Sequence, residues 1–283
     1  MLARRASSTA LCVAALRALE SGSKAPLVVD EQAAQLLPAA WSSALAYAGR
    51  SKLASAALHA LPDLLSLGRL QHIALRTRVI DELVTQELAR GVTQLVLLGA
   101  GFDTRAYRLA ASVDATVFEV DHPATQADKR ARGACLVPCA RAQHFIGVDL
   151  EREELAKPLL AAGFSPKARS VVLWEGVTMY LPSMAISRTL AALRGLCAPE
   201  TALFVTYHDA SGGSGRASRS TALLARLLGE PFLSEWSPGE MRALLGEQGF
   251  ALEGDTGRND WARESGRVAR GRAHERLAVA RRA

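Results

Sequence analysis

Aromatic residues are scarce in this sequence. Phe, Trp and Tyr together make up 5% of its 283 residues. A surface that binds single-stranded nucleic acid stacks bases on several aromatic side chains, so this composition argues against such a surface. The formal net charge of +6 is not gathered into one large block, which favours a mildly basic enzyme over a nucleic-acid-binding protein. We therefore expect no nucleic-acid partner.

Long apolar runs are also missing. No stretch reaches the roughly twenty apolar residues that a membrane-spanning helix requires. The start of the chain, with Arg4, Arg5 and the apolar residues 9–16, superficially resembles a signal peptide, and its Arg- and Ser-rich composition resembles a transit peptide. Arg17 interrupts the apolar run early, which favours an amphipathic helix over Ser8–Ser21. The sequence thus predicts a cytoplasmic protein without a membrane partner.

Cysteine is rare too. The four cysteines are scattered, and although Cys135 and Cys139 lie four residues apart, no second pair or histidine follows at the spacing of a zinc site. Free thiols in a reducing compartment explain this pattern. We expect neither a disulfide framework nor a metal centre.

Helical patterns, by contrast, fill the first ninety residues. Apolar residues recur there at helical spacing, and proline or glycine follows each predicted helix. We expect residues 1–90 to form an N-terminal helical cap. The predicted helices are 8–21, 31–37, 51–61 and 70–90.

After Gly91 short apolar runs alternate with helical stretches. This alternation predicts a Rossmann-like α/β domain over residues 91–283, with a mostly parallel seven-stranded sheet, helices on both faces and a flexible polar insertion near 211–220. The Arg-rich residues 258–282 could be a nucleic-acid arm, but acidic residues interrupt them and favour a solvated surface. The predicted strands are 94–98, 115–120, 143–148, 170–174, 202–207, 250–253 and 275–281, and the predicted helices are 123–132, 151–162, 183–196, 222–228 and 238–248.

The first strand runs directly into Gly99-Ala100-Gly101. Because glycine has no Cβ, a strand followed by Gly-x-Gly lets a ligand approach the backbone closely. A dinucleotide site would carry a third glycine where this chain has Thr104. S-Adenosylmethionine (AdoMet) has no phosphates and does not need that glycine. The turn therefore favours AdoMet over NAD, although short Gly-x-Gly turns also occur in loops that bind nothing.

Acidic residues follow the second, third and fourth strands. Glu119 and Asp121 stand where a carboxylate accepts hydrogen bonds from ribose hydroxyls, and both point to the same side of the strand. Asp149 follows the third strand and Glu175 the fourth. Carboxylates suit the sulfonium and ammonium groups of AdoMet and would repel a pyrophosphate. The strand ends therefore also favour AdoMet.

Over residues 7–210 the chain resembles the leucine carboxyl methyltransferase family and its bacterial relatives. Several separated motifs occur in the family's order, and the end of the chain resembles the family's last strand. The resemblance implies a class I methyltransferase fold and an AdoMet-dependent methyltransferase activity. The motifs are Ser8-Thr9-Ala10, Arg76-Thr77-Arg78 with Asp81, residues 99–105 with 107–109, Phe118–Pro123 and Trp174–Leu181.

The resemblance also implies roles for single residues. Arg76 matches the arginine that binds the AdoMet carboxylate, with Arg78 as a rival, and Asp121 matches the ribose acid in preference to Glu119. One departure concerns the segment that covers the acceptor pocket, where Asp30 is not followed by the family's proline. The acceptor therefore stays open. Of the other matched residues, Gly99 and Gly101 contact the cofactor, Asp149 and Leu150 flank the adenine, and Glu175 lies near the amino acid part.

The candidates for a catalytic role are Tyr180, Tyr207 and His208, which follow the fourth and fifth strands. A carboxylate acceptor needs no general base, whereas a hydroxyl acceptor does. We predict O-methylation of a small-molecule carboxylate or hydroxyl. A protein C-terminal carboxylate as acceptor, or AdoMet binding without catalysis, are the alternatives. A nucleic-acid methyltransferase would often carry Asn/Asp-Pro-Pro-Tyr where this chain has residues 174–178.

Overall fold

Seven strands form one sheet in the computed structural model, which describes residues 7–49, 68–212, 226, 229–271 and 273–283. The strands are β1 (Gln94–Leu98), β2 (Thr116–Asp121), β3 (Ala142–Gly147), β4 (Ser170–Trp174), β5 (Ala202–His208), β6 (Phe250–Gly257) and β7 (Glu275–Arg282). Their order is β3-β2-β1-β4-β5-β7-β6. Strands β1 to β5 are parallel, and β7 is antiparallel to both β5 and β6. The predicted mostly parallel, seven-stranded sheet is confirmed.

The helices surround this sheet in the described part of the chain. Most predicted helices are confirmed, and their ends follow local signals: the Ser7 side chain accepts the Ala10 N–H at the start of the first helix, and Gly91 has a left-handed φ of 85° beyond the end of the fourth. The helices are α1 (Ser8–Ser21), α2 (Glu31–Gln35), α3 (Ala39–Gly49), α4 (Arg69–Ala89), α5 (Arg105–Arg108), α6 (Pro123–Arg132), α7 (Ala156–Ala161), α8 (Ser183–Leu196), α9 (Pro238–Glu247) and α10 (Arg258–Glu264).

Both faces of the sheet are covered by apolar side chains. On one face, Leu190 and Leu193 of α8 join Val172 of β4 in a buried cluster. On the other, residues of α4 such as Ile80 join Leu97 of β1. Every residue of β1 and β4 is buried, as expected for central strands covered on both sides. The rigid centre of the sheet therefore lies at β1 and β4, whose carboxyl ends carry the candidate site.

Several elements differ from the sequence-based expectation. The helix predicted at 151–162 is shorter, because α7 covers only Ala156–Ala161. Helices α3, α5 and α10 were not predicted. The solvated-surface interpretation of residues 258–282 holds for exposed residues such as Arg263 and Val268. It is wrong for Trp261 of α10, which is fully buried, and for β7, which lies between two other strands. The predicted helix 51–61 and most of 211–220 and 222–228 lie outside the described residues.

The N-terminal helices pack against the loop that follows β1. Ala14 of α1 and Leu36 form a small apolar cluster with Phe102 of that loop. Arg17 donates to the backbone carbonyl of Phe102 at 2.6 Å and to Asp30 at 2.8 Å. These contacts close the N-terminal segment over the glycine turn. No helix of the described ranges is both long and apolar enough to cross a bilayer.

Candidate active site

The turn after β1 has a backbone that only glycine readily adopts. Gly99 and Gly101 have left-handed φ angles of 64° and 48°. A Cβ on Gly99 would lie 2.3 Å from a side-chain carbon of Val177, and a Cβ on Gly101 would lie 2.9 Å from the Cβ of Ala10. The loop after β4 and helix α1 therefore approach the turn closely. Glycine at both positions is what allows this close packing.

Asp121 reaches the glycine turn from β2. Its carboxylate accepts the Gly101 N–H at 2.5 Å and the His122 N–H at 2.6 Å. Burial raises the pKa of Asp121, and the two backbone N–H donors only partly oppose this effect. A ligand that donates hydroxyl hydrogens to this carboxylate would favour its ionised form. Of the two acids on β2, Asp121 is the one that touches the glycine turn.

Glu119 has a different environment. It is fully buried and forms an ion pair with Lys129 of α6, which is also fully buried. Gln143 donates a further hydrogen bond to its carboxylate at 2.7 Å. Burial raises the pKa of Glu119, and Lys129 opposes the rise. These partners occupy the carboxylate, so the ribose role that the sequence left open between the two acids fits Asp121 better.

Arg76 of α4 lies at the ends of β4 and β7. Its Nε donates to Glu175 at 2.8 Å, and its Nη1 donates to both carboxylate oxygens of Glu275 at 2.8 and 2.7 Å. Burial alone would lower the pKa of Arg76, but the Glu275 and Glu175 carboxylates outweigh burial and raise this pKa. His72, one turn earlier on the helix, contacts Glu275 at 2.8 Å. Arg76 is thus a fixed, buried cation beside Glu175.

The rival arginine lies on the surface. The side chain of Arg78 is 38% exposed and pairs with Glu82 at 2.9 Å on the same helix. Residues two apart on a helix point in different directions, so only one of the two arginines can face the sheet. The structure places Arg76 there, and Arg78 becomes a natural control residue.

Arg105 extends the ion network from Glu175 toward helix α4. It contacts Glu175 at 2.8 Å and Asp81 at 2.7 Å, and it also pairs with Asp103. Burial alone would raise the pKa of Glu175, but Arg105 and Arg76 hold it below its ordinary value. One nitrogen of Arg105, Nη2, is buried without a hydrogen-bond partner among the described residues. A buried unpaired donor of this kind is consistent with a place that a ligand fills.

Within the described residues the connected network contains four arginines and five acids. Its formal charge is therefore −1 when His72 is neutral. Asp121 adds a further negative charge nearby. The site as a whole suits a ligand with positive groups. The arginines are Arg17, Arg76, Arg105 and Arg108, and the acids are Asp30, Asp81, Asp103, Glu175 and Glu275.

Of this network, Arg76 and Glu175 were given site roles from the sequence, whereas Arg105 and Glu275, which contact them directly, were not. Arg105 stands in a recognised motif, and its buried position was the missing information. Glu275 lies in an Arg-rich stretch about 200 residues from Arg76 in sequence. Its pairing with Arg76 arises only because β7 inserts beside β5, where Glu275 stands opposite His208.

Asp149 and Leu150 follow β3 on the far side of β2. The Asp149 carboxylate accepts the Glu151 N–H at 2.9 Å, and its side chain is 25% exposed. Leu150 is buried, and its carbonyl accepts a hydrogen bond from Arg188 of α8 at 3.0 Å. The pair offers one polar and one apolar group. That combination would suit the two faces of an adenine ring.

The three predicted catalytic residues do not lie together. Tyr180 and His208 both contact the ring of Phe232, at centroid distances of 5.4 and 5.2 Å. Tyr207 points to the opposite face of the sheet, because side chains alternate along β5. Its hydroxyl donates to Asp255 of β6 at 2.7 Å, within the apolar cluster. A proton-accepting role for Tyr207 does not fit this placement.

Replacing Tyr207 by phenylalanine tests whether this residue lies outside the active site. The variant should lose about 1 kcal/mol of unfolding free energy, as is typical when one hydrogen bond is removed. Asp255 would keep its contact with Arg276 at 2.8 Å, so it would not be left without a partner. Denaturant unfolding measures the loss, and the methyl transfer that the sequence predicts should proceed at an unchanged rate. A drop in turnover without a loss of stability would indicate that Tyr207 does act in the active site.

No cluster of three or more potential metal ligands occurs in the ranges that the structure describes. The four cysteines are free thiols, with Cys197 buried and Cys135 exposed.

The sheet order, the Gly-x-Gly turn after β1 and the acid after β2 together define a class I methyltransferase fold. Two solved structures are similar to it. A putative methyltransferase from Thermobifida fusca has a TM-score of 0.62 at 17% identity, covering 100% of this chain and 96% of its own. An O-methyltransferase family protein from Burkholderia thailandensis has a TM-score of 0.53 at 14% identity, covering 76% and 59%.

Sequence comparison specifies the family. The profile of the leucine carboxyl methyltransferase family matches residues 10–194. A Mycobacterium bovis protein named "Putative S-adenosyl-L-methionine-dependent methyltransferase" is 33% identical over 90% of this chain and 83% of its own length. A Mycolicibacterium smegmatis protein with a similar name is 36% identical over 74% and 69%. The chain belongs to the leucine carboxyl methyltransferase family, and the predicted family, fold class and enzyme class are confirmed.

Proposed function

We propose that this protein binds AdoMet at the carboxyl ends of β1, β2 and β4 and transfers its methyl group to an oxygen of a small-molecule carboxylate or hydroxyl. The observation that supports this most is the hydrogen bond between the Gly99–Gly101 turn and Asp121, at the same edge of the sheet as the buried Arg76–Glu175 pair. The names of the curated relatives, which include AdoMet, support the predicted cofactor.

The residues of the site fit AdoMet in shape. The glycine turn lets the loop after β4 and helix α1 pack within van der Waals distance of its backbone, where a Cβ would collide with Val177 or Ala10. Asp121 would hold the ribose hydroxyls, since a carboxylate can accept from both. Asp149 and Leu150 would flank the adenine. No phosphate-binding glycine is needed, which agrees with Thr104 at that position.

The residues also fit AdoMet in charge. AdoMet carries a sulfonium, an ammonium and a carboxylate, so it is net positive. Arg76 would bind the carboxylate, while Glu175 would stabilise the ammonium. The surplus of carboxylates over arginines in the network would compensate the remaining positive charge. A pyrophosphate-containing cofactor would face the same carboxylates and be repelled.

AdoMet supplies an electrophilic methyl group when it is bound. The protein's part is to hold the acceptor oxygen in line and to exclude water, and such positioning can contribute roughly 7–11 kcal/mol to the barrier reduction. The N-terminal segment suits this task, because Arg17 fastens it to the carbonyl of Phe102 and Thr104 donates to its Asp30 at 2.7 Å. We propose that residues 1–90 act as the cap that excludes water from the site.

Calorimetry with AdoMet, S-adenosylhomocysteine (AdoHcy) and NAD tests the cofactor. AdoMet and AdoHcy should bind, and NAD should not. A screen of small carboxylates and hydroxyl compounds then tests methyl transfer. Its readouts are the formation of AdoHcy and the mass of the product. Binding of NAD without binding of AdoHcy would contradict the proposed function at its root.

Substituting Asp121 by asparagine tests the ribose contact. The variant should weaken AdoMet binding about tenfold, because a hydrogen bond to a charged group is worth roughly 1.5–3 kcal/mol and asparagine keeps part of it. The matched control is Asp128→Asn on α6, whose carboxylate pairs with Arg132 on the same helix. Calorimetry should show full affinity for the control. Equal affinities for both variants would remove Asp121 from the cofactor site.

A further inference from the structure

Four rings lie together beyond the cofactor residues, at the ends of β4, β5 and β7. The Phe232 ring lies between those of Tyr180 and His208, and the centroids of His208 and His274 are 6.1 Å apart. We refer to Tyr180, His208, Phe232 and His274 as the ring cluster. Flat apolar walls with polar edges favour an aromatic ligand, because rings prefer stacked or edge-to-face partners.

The ring cluster is fixed by backbone hydrogen bonds. The Leu233 N–H donates to the carbonyl of Met179 at 2.7 Å, and the Trp236 N–H donates to the carbonyl of His208 at 3.0 Å. These bonds tie the segment that carries Phe232 to the loop after β4 and to the end of β5. The cluster is therefore a preorganised wall.

His208 has the geometry of a general base. Its side chain is 8% exposed, and its Nδ1 is buried without a hydrogen bond to any described residue. The Glu235 carboxylate lies 3.4 Å from Nδ1. A carboxylate on the Nδ1 side favours the tautomer with its proton there, which leaves a basic lone pair on Nε2. Hydrogen bonds of catalytic groups are often long before the substrate binds, as this 3.4 Å distance is.

The charges around His208 discriminate between the two acceptor classes. Glu235, Glu275 and Asp209 face the imidazole, together with His274. Arg76 pairs with Glu275, and Arg276 lies 3.9 Å from Asp209. Glu235 is then the carboxylate that disfavours an anionic acceptor relative to a neutral hydroxyl. Burial lowers the pKa of His208 more than Glu235 and Glu275 raise it, so the imidazole is neutral near pH 7 and can take a proton.

Tyr180 carries the hydroxyl of the ring cluster, and this hydroxyl cannot act as the general base. Burial raises the pKa of Tyr180, and the nearby Glu230 and Glu275 raise it further. Tyr180 therefore stays protonated at neutral pH and acts as a hydrogen-bond donor. Of the three catalytic candidates, His208 is the one suited to accept a proton.

We propose that the ring cluster binds a phenol as methyl acceptor and that Nε2 of His208 removes its proton; this inference rests on the proposed function. The phenolic O–H bond breaks, and its proton goes to Nε2. The oxygen forms a bond to the methyl carbon while the carbon–sulfur bond of AdoMet breaks. Its electron pair stays on sulfur, which becomes the neutral thioether of AdoHcy. The imidazolium then returns its proton to solvent.

The tautomer of His208 can be measured without any acceptor. Nitrogen-15 chemical shifts of the imidazole, assigned with His208→Gln, should show a neutral ring protonated on Nδ1 at pH 7. Adding AdoHcy and 4-nitrophenol should move the Nε2 resonance, and the visible absorbance of the bound phenol should shift toward that of its phenolate. A ring protonated on Nε2, or charged at pH 7, would overturn the assignment of His208 as base.

Turnover separates this inference from the proposed function. A panel of phenols and shape-matched benzoates is assayed with the wild type, with His208→Gln and with the control His144→Gln, whose ring stacks on Phe118 at the edge of the sheet. The wild type should methylate phenols, and His208→Gln should be slower on the order of 10²–10⁴-fold, as expected for losing a general base. Its AdoMet affinity should be unchanged, and it should lose the acidic limb of the kcat–pH profile.

The outcomes differ in what they contradict. AdoMet binding together with methylation of benzoates alone, or equal phenol turnover by His208→Gln, would overturn the phenol inference and leave the proposed function intact. Failure of AdoMet and AdoHcy to bind the wild type would remove the proposed function and the inference with it.

Discussion

Replacing Lys129 by methionine should lower the unfolding free energy by about 3–5 kcal/mol, the range expected when one partner of a buried ion pair is removed. Lys129 and Glu119 are both fully buried. Methionine fills most of the volume of lysine, so the loss comes from the Glu119 charge that stays behind, not from a cavity. Urea unfolding followed by circular dichroism measures it.

The loss should depend on pH. Burial already raises the pKa of Glu119, and Lys129 opposes the rise, so removing Lys129 raises that pKa further. The folded variant then binds the Glu119 proton more tightly than the unfolded chain, which means that its stability falls as pH rises toward the raised pKa. The deficit relative to the wild type should therefore shrink in acid. A deficit that is constant between pH 5 and pH 8 would contradict this account.

A second substitution provides the control. The double variant Glu119→Gln/Lys129→Met removes both charges and keeps an oxygen that can accept from Gln143. It should be more stable than either single variant, because replacing a buried pair by neutral groups is far less costly than breaking it. Additive losses in the double variant would show that the two side chains do not interact energetically.

Elements with strong local signals could be predicted from the sequence. β1 and β4 match their predicted bounds at Gln94–Leu98 and Ser170–Trp174, because continuous apolar runs bounded by turns identify buried strands. α6 and α8 match as well, since proline or an N-cap marks each start. Acids at the strand ends could also be located from the sequence, because parallel topology brings these ends to one edge of the sheet.

What could not be predicted depends on contacts distant in sequence. Glu119 and Asp121 look equivalent on β2, and only the packing of α6 shows that Lys129 neutralises one of them. Tyr207 and His208 are adjacent in sequence, yet alternation along β5 sends them to opposite faces. Glu275 contacts Arg76 only after β7 has inserted into the sheet. Periodicity indicates where a strand lies, but not which distant side chain meets it.

Arg76→Lys should weaken AdoMet binding on the order of 10–100-fold, since hydrogen bonds to charged groups are worth roughly 1.5–3 kcal/mol. The guanidinium contacts Glu175 and Glu275 through separate nitrogens, and in the proposed site it also binds the carboxylate of AdoMet. A lysine ammonium keeps the charge, but its donors lie on one nitrogen, which cannot contact all three carboxylates at once. Calorimetry measures the change, and a thermal melt confirms that the variant is folded.

Arg78→Lys is the matched control, because Arg78 lies on the same helix but pairs on the surface with Glu82. It should bind AdoMet as the wild type does. AdoMet and AdoHcy share the carboxylate and differ at sulfur, so Arg76→Lys should weaken both ligands by the same factor. A loss confined to AdoMet would mean that Arg76 acts through the charge of the site and not through the carboxylate. A loss in Arg78→Lys with none in Arg76→Lys would reverse the choice between the two arginines.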